Sequence, residues 1–215
     1  MLITYHGHSE FLIETGAGLR ILTDPFDPAI PFPFHQTSAD IVTVSHAHHD
    51  HQHLEKVEGR PQVIRESGEH HPHKSIKVTG LPSWHDTSKG GKRGPNTIYL
   101  FQCDGLRMAH LGDLGDIPEE KVLQQLEFLD LVFVPVGGTY TIDGRQASAL
   151  ISRIKPRIIV PMHYKLGSQG LQALAPLEDF LAALLPLAPS RQPLLRFTQE
   201  DISQVPPLVV LEASA

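Results

Sequence analysis

Short apolar runs separated by turn residues fill the first half of the chain. Residues 2–5, 11–14, 19–23, 41–45, 63–66, 76–79, 97–102 and 107–110 are rich in β-branched and aromatic side chains and are bounded by Gly, Pro, Asp or Ser, which predicts a strand in each. Beyond them the period lengthens. Residues 118–128 open with a proline and two glutamates, a helix start, and lead into a buried strand at 131–134. Residues 146–154 place Ala147, Leu150, Ile151 and Ile154 on one helical face ahead of the β-branched run 158–160. A last helix is expected at 177–185 and a last strand at 208–211. Strands leading into helix and strand, in two successive blocks, predict an α/β fold of two sheets with helices outside them. The expected architecture is a four-layer αββα sandwich forming a single domain over residues 1–215. Phe26, Phe32 and Phe34, interleaved with Pro28, Pro31 and Pro33, interrupt the pattern and predict an ordered loop that packs its rings near a functional site.

Composition narrows the partners. An apolar content of 40% supports a globular core, and 18 basic against 24 acidic residues give a formal charge of −6 without charged blocks. Such a chain has no electrostatic footprint for nucleic acid or a membrane surface, so a small molecule is the expected partner, with homo-oligomerisation left open. Cys103 is the lone cysteine, which excludes disulfides within the chain and suits a reducing compartment. No charged lead and long apolar segment opens the sequence, so a cytoplasmic location is expected.

The chemistry is concentrated in His46-Ala47-His48-His49-Asp50-His51, directly after the apolar run Ile41-Val42-Thr43-Val44. Alternation along an extended chain points His46 and His48 the same way, while Asp50 and His51 come from the loop that turns away. One segment can therefore serve two metal ions. Imidazole and carboxylate suit zinc, iron, manganese or nickel, and no thiolate is present to soften the site. Further ligands should follow along the chain. His85 follows 78–81, Asp113 sits in the turn Gly112-Asp113-Leu114-Gly115 after 108–111, and His163 ends the run 158–162. Each stands at the carboxyl end of an apolar strand, where open α/β sheets gather ligands. Asp116, close behind Asp113, is the alternative carboxylate.

Together with Gly7-His8-Ser9, Asp24-Pro25, Gly94, the segment 137–147 and Pro161-Met162-His163-Tyr164, these residues resemble the metallo-β-lactamase-fold hydrolases. Within them the chain is most similar to small stand-alone metal-dependent hydrolases related to the L-ascorbate 6-phosphate lactonase family. The resemblance implies the αββα fold and two divalent cations, Zn2+ foremost, with Mn2+, Ni2+ or Fe2+ as alternatives. His46, His48 and His85 would hold one, Asp50, His51 and His163 the other, and Asp113 would bridge them. It also implies hydrolysis of a small ester-like substrate, such as a lactone, a phosphodiester or a phosphorylated metabolite, by a hydroxide held between the metals. Asp50 is the expected catalytic group, orienting that hydroxide and accepting its proton. His8 is expected near the metals, orienting a ligand or touching substrate. Lys89, Lys92 and Arg93, in the Gly/Lys-rich segment 87–95, are expected to form a flexible cationic lip for an anionic substrate, and Tyr140, Tyr164 and Lys165 are further substrate-contact candidates. His49 and His53 read as outer or surface groups, His70, His71 and His73 as solvated loop residues, and His6 and His110 as structural. The alternatives are an iron-dependent redox enzyme of the same fold, a small nuclease and a non-catalytic metal-binding protein. The short acidic chain argues against the nuclease, and the full two-metal ligand set without a flavin domain argues against redox chemistry.

Overall fold

The computed structural model describes residues 1–214. Two six-stranded sheets form its centre. The first runs Leu194–Arg196, Leu2–Gly7, Glu10–Glu14, Arg20–Thr23, Ile41–Thr43 and Gln62–Ile64, antiparallel up to Arg20–Thr23 and parallel beyond it. The second runs Ile158–Met162, Leu131–Pro135, Leu106–His110, Pro95–Cys103, Ile76–Trp84 and Gly68–His73, with its first three strands parallel and the rest antiparallel.

The period of two explains how the sheets stack. Phe11, Ile13, Ile21 and Ile41 of the first sheet meet Tyr99, Phe101, Leu131, Phe133, Ile158 and Val160 of the second in one buried cluster. The Phe11 and Phe133 rings are 4.3 Å apart between centroids. The alternate residues Ile98, Leu100, Val132, Val134 and Ile159 face the other way, against the helices. Strands covered on both faces read as unbroken apolar runs, which is why Leu131–Pro135 and Ile158–Met162 show no alternation in sequence.

Three helices cover the second sheet. Gly144–Ile154 buries Ala147, Leu150, Ile151 and Ile154, starts with a capping box between Asp143 and Gln146, and stops at Lys155, whose φ is +48°. Glu120–Gln125 is shorter than the 118–128 pattern, and Leu177–Ala183 shorter than 177–185. On the other face of the first sheet, Leu12, Leu22, Val42, Val44 and Val63 pack with Ala39, Leu54 and Val57, so the cover there comes from the 3-10 turn Leu54–Lys56 and its flanking segments.

Two elements depart from the sequence reading. Gly68–His73 is an edge strand paired with Ile76–Trp84, rather than a loop. Its residues, Gly-Glu-His-His-Pro-His, carry no apolar alternation, because an edge strand facing water needs none. Leu194–Arg196 closes the first sheet against Leu2–Gly7, a pairing across nearly the whole chain that no local pattern announces. The segment around Phe26 and Phe32 is ordered, and packs with Ile30 against Leu166 and Leu171. Among the described residues no helix is long and apolar enough to cross a membrane.

Candidate metal centre

Both sheets deliver ligands at one edge of the sandwich. Ile41–Thr43 runs through Ser45 into the His46–His51 segment, and Thr97 N–H donates to the Ser45 carbonyl at 2.9 Å, joining that strand end to the second sheet. His163 N–H donates to the His8 carbonyl at 2.8 Å, a second bond between the sheets. Gly112 has φ +56°, and a Cβ there would lie 2.4 Å from Asn96 Oδ1, so glycine alone lets the turn present Asp113. His8, Asp24 and His163 also take left-handed φ of 56°, 39° and 53°, strain held by the surrounding bonds where the side chains converge.

Three overlapping groups of donors result, one of them Asp24, His46 and His51. One ligand atom each from His46, His48 and His85 lie within 4.8 Å of one another, as do those of His8, Asp50, His51 and His163. Asp113 stands between these last two groups. Its Oδ2 is 3.4 Å from His85 Nε2, 3.9 Å from His46 Nε2 and 3.2 Å from His163 Nε2, and its Oδ1 is 3.3 Å from His51 Nε2. Asp116 lies outside, half-buried beside a separate cleft with Trp84 and Lys121.

The donors fit cations. His46 Nε2, His51 Nε2, His85 Nδ1, both ring nitrogens of His163 and Asp113 Oδ1 are buried without a hydrogen-bond partner. Buried polar atoms are otherwise almost always partnered, and so dense a cluster of lone pairs is what divalent metal satisfies. The outer bonds select the tautomers. Asp24 Oδ2 accepts from Ser45 Oγ at 2.5 Å and from His51 Nδ1 at 2.9 Å, while His46 Nδ1 donates to Ser45 Oγ at 2.9 Å. With a cation bound, both imidazoles would turn an unprotonated Nε2 inward.

Without a cation the carboxylates hold positive charge on the cluster itself: burial opposes a charged His51, but Asp113 and Asp24 outweigh it and raise its imidazole well above the usual value, and a metal binding there would displace that proton. Burial opposes ionisation of Asp113, but His163 and His51 outweigh it and hold the carboxyl well below the usual range. Burial likewise disfavours a charged Asp24, and the hydrogen bond from His51 reverses the sign. His8 is lowered to about 4, by burial and by His163, so its imidazole is neutral at physiological pH. Its Nε2–H donates to Asp50 Oδ2 at 3.1 Å, and despite burial this bond lowers the Asp50 carboxyl.

A cavity of about 390 Å³ opens over the cluster, lined by Ile30, His48, His49, Asp50, His85, Arg93, Asp113, Tyr140 and Leu171. Arg93 and Tyr140 meet there, the guanidinium 5.3 Å from the ring centroid. The remaining substrate-contact candidates lie elsewhere. Lys92 is exposed, and its side chain is absent from the lining. Tyr164 is buried in the apolar layer beneath the helices, where burial pushes its phenol up to about 12. An aromatic ring beside a strand end was free to turn either way, and the apolar layer took it. Lys165 is half-buried, with its N–H bonded to the Ala175 carbonyl, and it too is outside the lining. The expected flexible lip is a turn braced by hydrogen bonds to its own backbone. Asp86 accepts the backbone N–H groups of Ser88, Gly90, Lys92 and Arg93 and ties the turn down.

The other histidines separate by environment. His49 pairs with Asp27 at 2.7 Å on the surface, and the His53 ring sits 5.7 Å from that of Phe34. His110 donates through Nε2 to the Ser9 carbonyl and accepts Gly112 N–H at Nδ1, bracing the Asp113 turn. Ser45, Asp86 and Asn96 support the site with no role expected of them from the sequence, as does Asp24, which carries part of the resemblance. Asn96 Oδ1 accepts Asp113 N–H at 3.0 Å and its Nδ2 donates to the Leu111 carbonyl. The available signal was positional for two of them: Asp24 closes a strand before a proline, and Asp86 immediately follows His85.

Known proteins share this arrangement of the chain. The family model of the beta-lactamase superfamily domain matches residues 2–163. A UPF0173 metal-dependent hydrolase of Carboxydothermus hydrogenoformans is 30% identical over 196 residues, covering 76% of this chain and 84% of that protein. Its counterpart in Thermococcus onnurineus is 29% identical over 189 residues, covering 75% and 84%. A Thermotoga maritima structure described as a Zn-dependent hydrolase of the metallo-beta-lactamase superfamily superposes with a TM-score of 0.78 at 32% identity, over 98% of this chain and 97% of that one. An isothiocyanate hydrolase from Delia radicum gut bacteria shares the fold, with a TM-score of 0.68 at 13% identity over 100% of this chain and 98% of that one. Since the domain match spans most of the chain and the relatives are covered over most of their length, the chain belongs to the metallo-β-lactamase superfamily, among the UPF0173 metal-dependent hydrolases.

Proposed function

We propose that the protein hydrolyses a small ester-like bond, in a lactone, a phosphodiester or a phosphorylated metabolite, at a centre of two divalent cations, zinc foremost. The observation that carries this reading is Asp113, one buried carboxylate facing His51 with one oxygen and His85, His46 and His163 with the other. A carboxylate shared by two ligand groups suits a bridge between two ions. His46, His48 and His85 are the ligands of one and Asp50, His51 and His163 those of the other. Bound there, the cations supply Lewis acidity and lower the pKa of water from near 16 to roughly 7.

The chain's own groups do the rest. His8 pins Oδ2 of Asp50, whose side chain is 15% exposed in the cavity lining, and this leaves Oδ1 to orient the attacking water and take its proton. Ile30 and Leu171 form the apolar part of the cavity lining. The test is metal removal. Chelator-stripped protein should lose turnover of bis(p-nitrophenyl) phosphate, aryl esters and lactones and regain it as Zn2+ or Mn2+ is restored, saturating near two ions per chain. Undiminished turnover by stripped protein would overturn the reading, and full turnover at one ion per chain would overturn the two-cation centre.

A further inference from the structure

Among the described residues that line the cavity over the ligand cluster, Arg93 is the one guanidinium or ammonium group, facing the carboxylates Asp50 and Asp113 of the same lining. Its donors are uncommitted. Several guanidinium groups are engaged, Arg107 on the Gln125 and Glu127 carbonyls, Arg157 on the Ile202 carbonyl, Arg153 on Glu120 and Arg20 on Ser38, whereas Arg93 is the arginine in the cavity lining. Among the described residues the Arg93 guanidinium bonds to no carboxylate or carbonyl and lies over the Tyr140 ring. A half-buried planar fork of this kind matches an oxyanion, and the ring behind it favours the charge while restricting its orientation.

Its place is also fixed. Asp86 directly follows the ligand His85, and its carboxylate accepts N–H bonds from Ser88 at 2.7 Å, Gly90 at 3.1 Å, Lys92 at 2.9 Å and Arg93 at 2.7 Å. The turn is closed by Gly94 N–H to the Gly90 carbonyl and His85 N–H to the Gly94 carbonyl. Gly90 has φ +79°, and a Cβ there would lie 2.9 Å from the Gly94 carbonyl oxygen. With both carboxylate oxygens occupied by backbone, Asp86 leaves the Arg93 charge available. One braced turn thus carries a metal-ligand candidate at one end and a free guanidinium at the other.

We propose that Arg93 binds an oxyanion, carboxylate or phosphate, on the substrate at a distance from the scissile bond set by the turn, and that Asp86 is the positioning residue of that clamp. The substrate class is then a small anionic ester or lactone. A volume of about 390 Å³ admits a metabolite rather than a polymer, and Ile30 and Leu171 receive its apolar part. This rests on the hydrolase reading above, and the test separates the two.

Metal-loaded protein is assayed with p-nitrophenyl hydrogen succinate and with p-nitrophenyl butyrate, esters of similar length that differ in charge. The ratio of kcat/KM, anionic over neutral, should fall at least tenfold in Arg93→Gln and partly recover in Arg93→Lys. Asp86→Asn should lower the same ratio through KM in protein whose melting shows it folded. An unchanged ratio in Arg93→Gln overturns the clamp. If wild type cleaves neither ester, the failure belongs to the hydrolase reading, and calorimetric titration with glutarate and with glycerol phosphate decides the clamp: binding at least tenfold weaker in Arg93→Gln supports it, and equal binding overturns it. Which of the two titrants loses more identifies carboxylate or phosphate as the preferred group.

Discussion

Three donors converge on Asp24, namely Ser45 N–H, Ser45 Oγ and His51 Nδ1, at 2.7, 2.5 and 2.9 Å. The carboxylate never enters the cavity, yet it fixes the tautomer of two inward imidazoles. Asp24→Asn should therefore weaken metal affinity roughly 10–100-fold, read by competition with a chromogenic chelator, and unchanged affinity in folded protein would remove Asp24 from the centre. Asp50 has the opposite profile. Asp50→Asn should lower turnover by about two orders of magnitude or more while the imidazoles retain metal, so a variant with full turnover would refute its role as proton acceptor. Cys103 concerns stability rather than the site. Burial raises its thiol from 9 to about 12, so the folded form keeps its proton where the unfolded form has lost it. Its contribution is fully present below pH 9 and is lost as pH rises towards 12. A disulfide exchange reagent at pH 8 should label Cys103 only after denaturation, whereas rapid labelling of native protein would contradict this.

At the scale of elements, the Gly144–Ile154 helix was legible because its apolar spacing and its capping residues agree. Asp143 Oδ1 accepts Arg145 and Gln146 N–H, each at 2.9 Å, and Gln146 Oε1 accepts Asp143 N–H at 3.0 Å. Asp143→Ala should cost about 1 kcal/mol, measured as a lower urea midpoint with the metal site intact. The strands bearing ligands were legible for a similar reason, each ending an apolar run at a histidine or an aspartate. Gly68–His73 was not, since its three histidines follow no alternation and only its partner strand makes it β. Lys92 and Arg93 were adjacent cations in one sequence segment, and the Asp86 turn separated them, sending one into the cavity lining and the other to solvent.

Across the whole molecule, a buried ion pair ties the site's loops together behind the first sheet. Glu10 accepts from Lys56 Nζ at 2.8 Å, from His6 Nδ1 at 2.7 Å and from Phe26 N–H at 3.1 Å, and the Lys56 ammonium lies 3.9 Å from the Phe26 ring centroid. Phe26 is two residues beyond Asp24, and Lys56 is five beyond His51, so one carboxylate joins the segments on both sides of the centre. Lys56→Met would leave that carboxylate buried with only part of its shell. It should destabilise the fold by roughly 3–5 kcal/mol in chemical denaturation, and a loss under 1 kcal/mol would show the pair to be dispensable. By itself the sequence determined which residue types are metal-ligand candidates, their placement at strand ends and the apolar faces of the layers, because strand alternation and helical period are local properties of the backbone. Only the tertiary structure decided that Asp113 lies between two groups of candidate ligands, that Tyr164 faces the core and that Arg93 faces the cavity. Those are distances between segments far apart in the chain, and they exist only once the two sheets have packed.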